Sequence, residues 1–229
     1  DTADQVDKFW LPKMVLRREG TDLKSTFVTV MEPYVDSLFS KGPRIKEVAL
    51  LEPSKSSQGD VAISITHGKT RDILLSSTHP DEELIVEDIV FKGKMGFIRE
   101  EGGKVRSMYM VGGTSLKKGG VELTGSGPVI GKIVDVWRKA QGDKEDAFIT
   151  DVAVPENVKN QYLIVNHPDG TTHGYLIVDV KREGSGSAVI LDTDPGFMLR
   201  RNGESAMVYF PFTEWKGEHI FRIEGTASR

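Results

Sequence analysis

Cysteine is absent from all 229 residues. That excludes disulfides, thiolate metal sites and cysteine nucleophiles together. It leaves the compartment open, because secreted bacterial proteins are often free of cysteine. A basic excess is missing too. Lys and Arg number 30 against 34 Asp and Glu, a formal net charge of -4. A dedicated nucleic-acid binder would carry a basic surplus or stripe, whereas here the basic residues are scattered apart from pairs such as Arg17-Arg18, Lys117-Lys118 and Arg200-Arg201. No run approaches the roughly 20 apolar residues of a membrane helix. Asp1 to Lys8 is polar and acidic and does not read as a signal peptide, which fits a cytoplasmic chain or a trimmed form of a secreted one. Helical periodicity is scarce. Only Pro33 to Phe39 and Glu156 to Lys159 read as a helical turn or two.

What is present is strand chemistry. Period-2 runs rich in β-branched and aromatic residues recur from end to end, beginning with Ser25 to Met31. Val61 to Thr66, Arg71 to Leu75, Leu84 to Phe91, Met95 to Arg99 and Val105 to Val111 follow. Later runs are Val129 to Trp137, Ala147 to Val152, Tyr162 to Val165, Gly174 to Val180, Ala188 to Leu191, Ser205 to Phe212 and His219 to Ile223. The 24 Gly and 10 Pro punctuate them at the spacing of a sandwich or barrel. The expected fold is all-β: two antiparallel, jelly-roll-like β-sandwich domains with very little helix. Small, turn-prone residues at Leu123 to Pro128 place the boundary, giving a domain over 1–124 and a smaller one over 125–229.

No motif here assembles an active site by itself. Gly125-Ser126-Gly127 and Gly184-Ser185-Gly186 lack the strand–turn–helix setting of a nucleophile elbow and read as loop linkers. Gly102-Gly103, Gly112-Gly113 and Gly119-Gly120 open no helix, so they read as hairpin turns rather than phosphate cradles, and no cofactor motif is found. Asp192 and Asp194 alternate like calcium ligands, but Pro195 intrudes, Gly196 comes too early and no distal Glu follows. His167 and His173 are the one suggestive histidine pair. A hairpin would bring them near Asp169 as a nitrogen/oxygen metal site; the plainer reading is a Pro-Asp-Gly turn with histidines at the strand ends.

Trp10, Trp137, Tyr162, Tyr175, Tyr209 and Trp215 would stack on sugar rings if exposed. Trp215, Trp137 and Tyr162 are the candidates for substrate contact, with Trp215 expected on a loop. Most such side chains in β-sandwiches are instead core or half-core.

One segment carries a family likeness. Ser25-Thr-Phe-Val-Thr-Val-Met-Glu-Pro-Tyr34, followed by Ile45-Lys-Glu-Val48, resembles the back half of heparinase II/III-type polysaccharide lyases. Met14 to Glu19 fits the same pattern, and Gly131 to Val136 is similar to the start of that family's C-terminal β-domain. Pro155 to Val165 and His173 to Val180 follow it more loosely. The resemblance implies an N-terminal α/α toroid followed by β-sandwich domains, secretion or a periplasmic location, and eliminative cleavage of uronic-acid polysaccharides. It also implies Tyr and His as acid/base groups, with the uronate carboxylate neutralised so that the C5 proton becomes acidic enough. None of the five histidines matches the family's catalytic or zinc-binding motifs, so no catalytic residue is carried over. The chain is expected to be the β-rich part of such a lyase, inactive alone, with the toroid of the same polypeptide as its partner and an acidic polysaccharide in the shared cleft. A carbohydrate-binding module or a structural interaction domain is the alternative.

Overall fold

The computed structural model describes residues 14–33, 42–200 and 203–229. The chain falls into two compact units, 1–31 and 32–229. In the first, residues 14–31 contain no strand or helix. The strand expected over Ser25 to Met31 is therefore corrected. Its residues have strand propensity, but a strand exists only where a ladder partner satisfies its backbone, and none among the described residues pairs with it. The helical turn expected over Pro33 to Phe39 lies mostly outside the described residues.

Among the described residues of the second unit the regular elements are strands, apart from two short 3-10 turns at Lys139–Gln141 and Glu156–Val158. Its first part holds β1 (Glu47–Leu50), β2 (Val61–His67), β3 (Thr70–Ser76), β4 (Leu84–Val86), β5 (Ile89–Lys92), β6 (Met95–Glu101), β7 (Lys104–Val111), β8 (Ser115–Lys118) and β9 (Val121–Thr124). The hairpins β6–β7 and β8–β9 turn on Gly102-Gly103 and Gly119-Gly120, all four with positive φ. That conformation suits the twist of a tight hairpin, and glycine adopts it without strain. A six-stranded antiparallel sheet, β1-β2-β3-β6-β7 plus a last strand described below, accompanies a four-stranded one, β4-β5-β8-β9. Alternate residues of both, among them Ile73, Leu75, Phe91, Ile98, Met108, Met110 and Leu116, form one apolar core.

The second part holds β10 (Val129–Trp137), β11 (Ala147–Thr150), β12 (Tyr162–Asn166), β13 (Thr172–Glu183), β14 (Gly186–Leu191), β15 (Phe197–Leu199), β16 (Glu204–Met207), β17 (Glu214–Lys216), β18 (Ile220–Ile223) and β19 (Thr226–Ser228). Six of them close into an antiparallel barrel in the order β10-β11-β14-β13-β12-β18. Bulges leave Val134 of β10 and Val178 of β13 without a ladder partner, which bends these strands where closure needs it. The interior is filled by Ile133, Phe148, Leu163, Val165, Ile177, Val189, Phe221 and Ile223. The short sheet β15-β16-β17 adds Phe197 and Trp215 to this same core.

The final strand does not stay with the barrel. β19 pairs with β7, Thr226 opposite Val111, and so completes the first sheet. Strands up to Thr124 and those from Val129 to Ile223 thus belong to different sheets, yet the chain end ties them together, and 32–229 forms one compact unit. No helix among the described residues is long and apolar enough to cross a membrane.

Candidate functional site

The densest polar chemistry lies at the barrel end that receives β15–β17. His167 immediately follows β12, His173 lies on β13, and His219 immediately precedes β18. The β12–β13 hairpin brings the first two together, pairing Val165 with His173. Closure of the barrel adds the third, because β18 runs beside β12. Ser205 arrives on β16.

These side chains form a line. Ser205 Oγ is 2.6 Å from His219 Nε2. His219 Nδ1 is 2.7 Å from His167 Nδ1, and His167 Nε2 is 2.7 Å from His173 Nδ1. Ser205, His219 and His167 are buried, with 1%, 1% and 4% of their surface exposed, whereas His173 faces solvent. Aromatic rings pack the line from the side: Trp215 stacks on His167 at 4.5 Å, and Phe197 lies on His219 at 4.7 Å.

Burial sets the electrostatics. Loss of hydration lowers the pKa of His167 to about 4, with the neighbouring His219 and His173 adding to the effect. Loss of hydration likewise brings His219 to about 4, against a small opposing pull from Asp169. Asp169 sits in the β12–β13 turn and is held down to about 2, first by the Thr171 hydroxyl at 2.7 Å, then by the Trp215 indole and the Thr171 amide. The indole N–H contributes by proximity only. Trp215 Nε1 is buried without a hydrogen bond of proper geometry.

One expectation changes here, the placing of Trp215 on a loop, while the plainer reading of the β12–β13 turn, with histidines at the strand ends, describes what is seen. His167, His173 and Asp169 do not converge as metal ligands. The rings are strung in sequence through opposite nitrogens of His167, Asp169 bonds to Thr171, and no group of three His, Asp or Glu among the described residues is placed to hold a metal. Trp215 is not on a loop. It lies in β17 with 4% of its surface exposed and offers no face to a sugar. Asp194, one of the calcium-like pair, is engaged by the buried Arg138, which donates to both its oxygens at 2.7 and 2.8 Å. Trp137 is half-buried and packs against Ala147, Ile149, Ala188 and Ile190. Tyr162 is the exposed candidate, with 59% of its surface free on the outer side of β12. Trp10 lies outside the described residues.

Ser205–His219–His167 has the spacing of a nucleophile, a base and a group orienting the base. Burial closes that use, because no substrate carbonyl reaches a hydroxyl that is 1% exposed. What the arrangement offers is a line of hydrogen-bond contacts between ring nitrogens and one hydroxyl. Spacing in sequence gave no sign of His219 or Ser205, which lie 52 and 14 positions from their partners.

A second polar cluster bridges the first two sheets. Arg71 on β3 donates to both oxygens of Glu87 at 2.6 and 2.9 Å. The buried Lys118 on β8 reaches Asp88 and lies 3.5 Å from Glu100. Every charge in it has an opposite partner, and it reads as a clasp between sheets.

No family model, curated protein or solved structure matches the chain.

Proposed function

We propose that this chain is a non-catalytic β-rich part of a heparinase II/III-like polysaccharide lyase. In this reading it supports an α/α toroid of the same secreted or periplasmic polypeptide and walls one side of a cleft for uronic-acid polysaccharides. The observation that carries the reading is the segment Ser25 to Met31. It holds the most distinctive part of the family likeness and has the composition of a strand, yet it belongs to no ladder among the described residues, and Phe27, Val28 and Met31 are exposed. Such a segment is suited to complete a sheet contributed by another part of the polypeptide. The histidines are consistent with a supporting role, since His167 and His219 are sealed from substrate.

The test compares the chain alone with the full reading frame that encodes it. The chain alone should release no unsaturated uronate, read by ultraviolet absorbance, from heparin or alginate; the full product should do so. Lyase activity in the chain alone, or a reading frame without helical repeats before Asp1, would overturn the proposal.

Tyr162 favours a second reading, a stand-alone carbohydrate-binding domain. Its ring lies beside Gly174, whose missing side chain leaves that part of the β12–β13 surface low. In this reading Tyr162→Ala weakens binding to an acidic polysaccharide by about 1 kcal/mol, roughly fivefold, in titration calorimetry. Equal binding by the variant would remove Tyr162 from consideration.

A further inference from the structure

The histidine line joins two parts of the fold. His167, His173 and His219 belong to the barrel; Ser205, Trp215 and Phe197 belong to β15–β17. The Ser205–His219 contact and the stacking of Trp215 on His167 and Phe197 on His219 all cross that boundary. The short sheet is therefore seated on the barrel in part through two imidazoles, beside the packing of Phe197 on Phe148 and the contact of Gln141 with Met198.

Proton counting limits what the line tolerates. Each of its three contacts needs one hydrogen and one lone pair. With three neutral rings this is met when Ser205 donates to His219, His219 to His167 and His167 to His173. It is met equally well with every direction reversed. A proton added at exposed His173 makes both of its nitrogens donors. The line then has one solution, the reversed one, in which the buried rings stay neutral and Ser205 accepts. A second proton has to enter a buried ring. It sets two N–H groups against each other, or an N–H against the Ser205 hydroxyl proton, and one contact must break.

We propose that His173, His167, His219 and Ser205 form an acid-operated latch that holds β15–β17 on the barrel end: the first proton fixes the line in one direction and the second opens it. The groups facing the line fit this. Asp169, in the turn between β12 and β13, stays anionic and pulls weakly on His167 and His219 against the effect of their burial. No carboxylate among the described residues is hydrogen-bonded to the buried rings, which Trp215 and Phe197 surround. The other nearby charges pair elsewhere: Glu218 with Lys132, and Glu204 with Arg200 and Lys216. Opening uncovers Trp215 and Phe197 and leaves the ladders of the barrel intact.

The experiment uses the full chain with Trp10→Phe and Trp137→Phe, so that Trp215 alone reports. Acrylamide quenching should be low at neutral pH and rise several-fold, reversibly, on the way to about pH 4, while the far-ultraviolet circular dichroism of the strands persists. Ring nitrogen NMR of the unmodified chain gives a readout that needs no variant to fold. With one extra proton on the line, His167 should be in the Nδ1–H form without itself gaining charge. Unchanged quenching, quenching that rises only together with loss of the strand signal, or His167 found in the Nε2–H form once the line carries an extra proton would each overturn the latch.

Discussion

His167 and His219 are neutral in the fold because burial removes the water that would stabilise their cations. Their folded pKa values lie below the ordinary 6.5, at about 4. The unfolded chain therefore takes up protons first as pH falls. Their contribution to stability is complete above about 6.5 and is lost as pH drops through about 4. For the pair the loss is on the order of a few kcal/mol. Urea midpoints measured across that range should fall, and His167→Gln with His219→Gln should flatten the profile. A profile already flat in the parent would refute the assignment. Asp194 supplies a second residue-scale case. It neutralises Arg138, which has 4% of its surface exposed. Asp194→Asn leaves a buried guanidinium without its counter-charge and should cost about 3 kcal/mol in denaturant unfolding. A cost within error of zero would mean that Arg138 finds another partner.

Gly131 on β10 marks a close approach within the barrel. A Cβ there would lie 2.6 Å from both Asp151 Oδ1 and Val152 Cγ2, and 2.8 Å from the Phe221 ring. These atoms belong to the segment after β11 and to β18, the two neighbours of β10. Gly131→Ala should therefore destabilise by about 1–3 kcal/mol, seen as a lower thermal midpoint. An unchanged midpoint would show that the strands can move apart at no cost. Most strands were legible in sequence because alternation of large apolar and polar residues marks a half-buried sheet. Two readings failed in an instructive way. Ser25 to Met31 has the composition but no ladder, and Ser205 to Phe212 is a strand only as far as Met207, after which Phe210 and Phe212 are exposed. Propensity is local, whereas pairing depends on a partner.

The barrel and the first sheet meet through the chain end. Gly112 N–H donates to the carbonyls of Glu224 and Gly225, and β19 continues into the ladder with β7. The Glu224 side chain adds a clasp. Lys94, between β5 and β6, and Arg222 on β18 donate to its Oε1 at 2.6 and 2.8 Å. Burial works to raise the Glu224 pKa, but the two cations together bring it below its ordinary value. Glu224→Ala removes the clasp and should cost about 1–3 kcal/mol. It should also speed proteolysis within Gly125 to Pro128, read by mass spectrometry of early fragments. Cutting at the parent's rate would show that β19 alone holds the junction.

The sequence by itself determined the all-β class, the hairpin turns at Gly102-Gly103 and Gly119-Gly120 and the absence of cysteine chemistry, since each follows from residue type and near spacing, whereas Gly112-Gly113, also read as a hairpin turn, carries the chain from one sheet to the other. It also singled out His167 and His173, six positions apart across one turn. Tertiary structure decided what those histidines are part of. The β12–β18 pairing sets Val165 opposite Phe221 and so carries His219 to His167, while β16 and β17 bring Ser205 and Trp215 over them. Contacts between distant positions depend on how the barrel closes, and local patterning does not encode closure. The chain therefore holds a buried line of imidazoles that only the closed barrel could assemble.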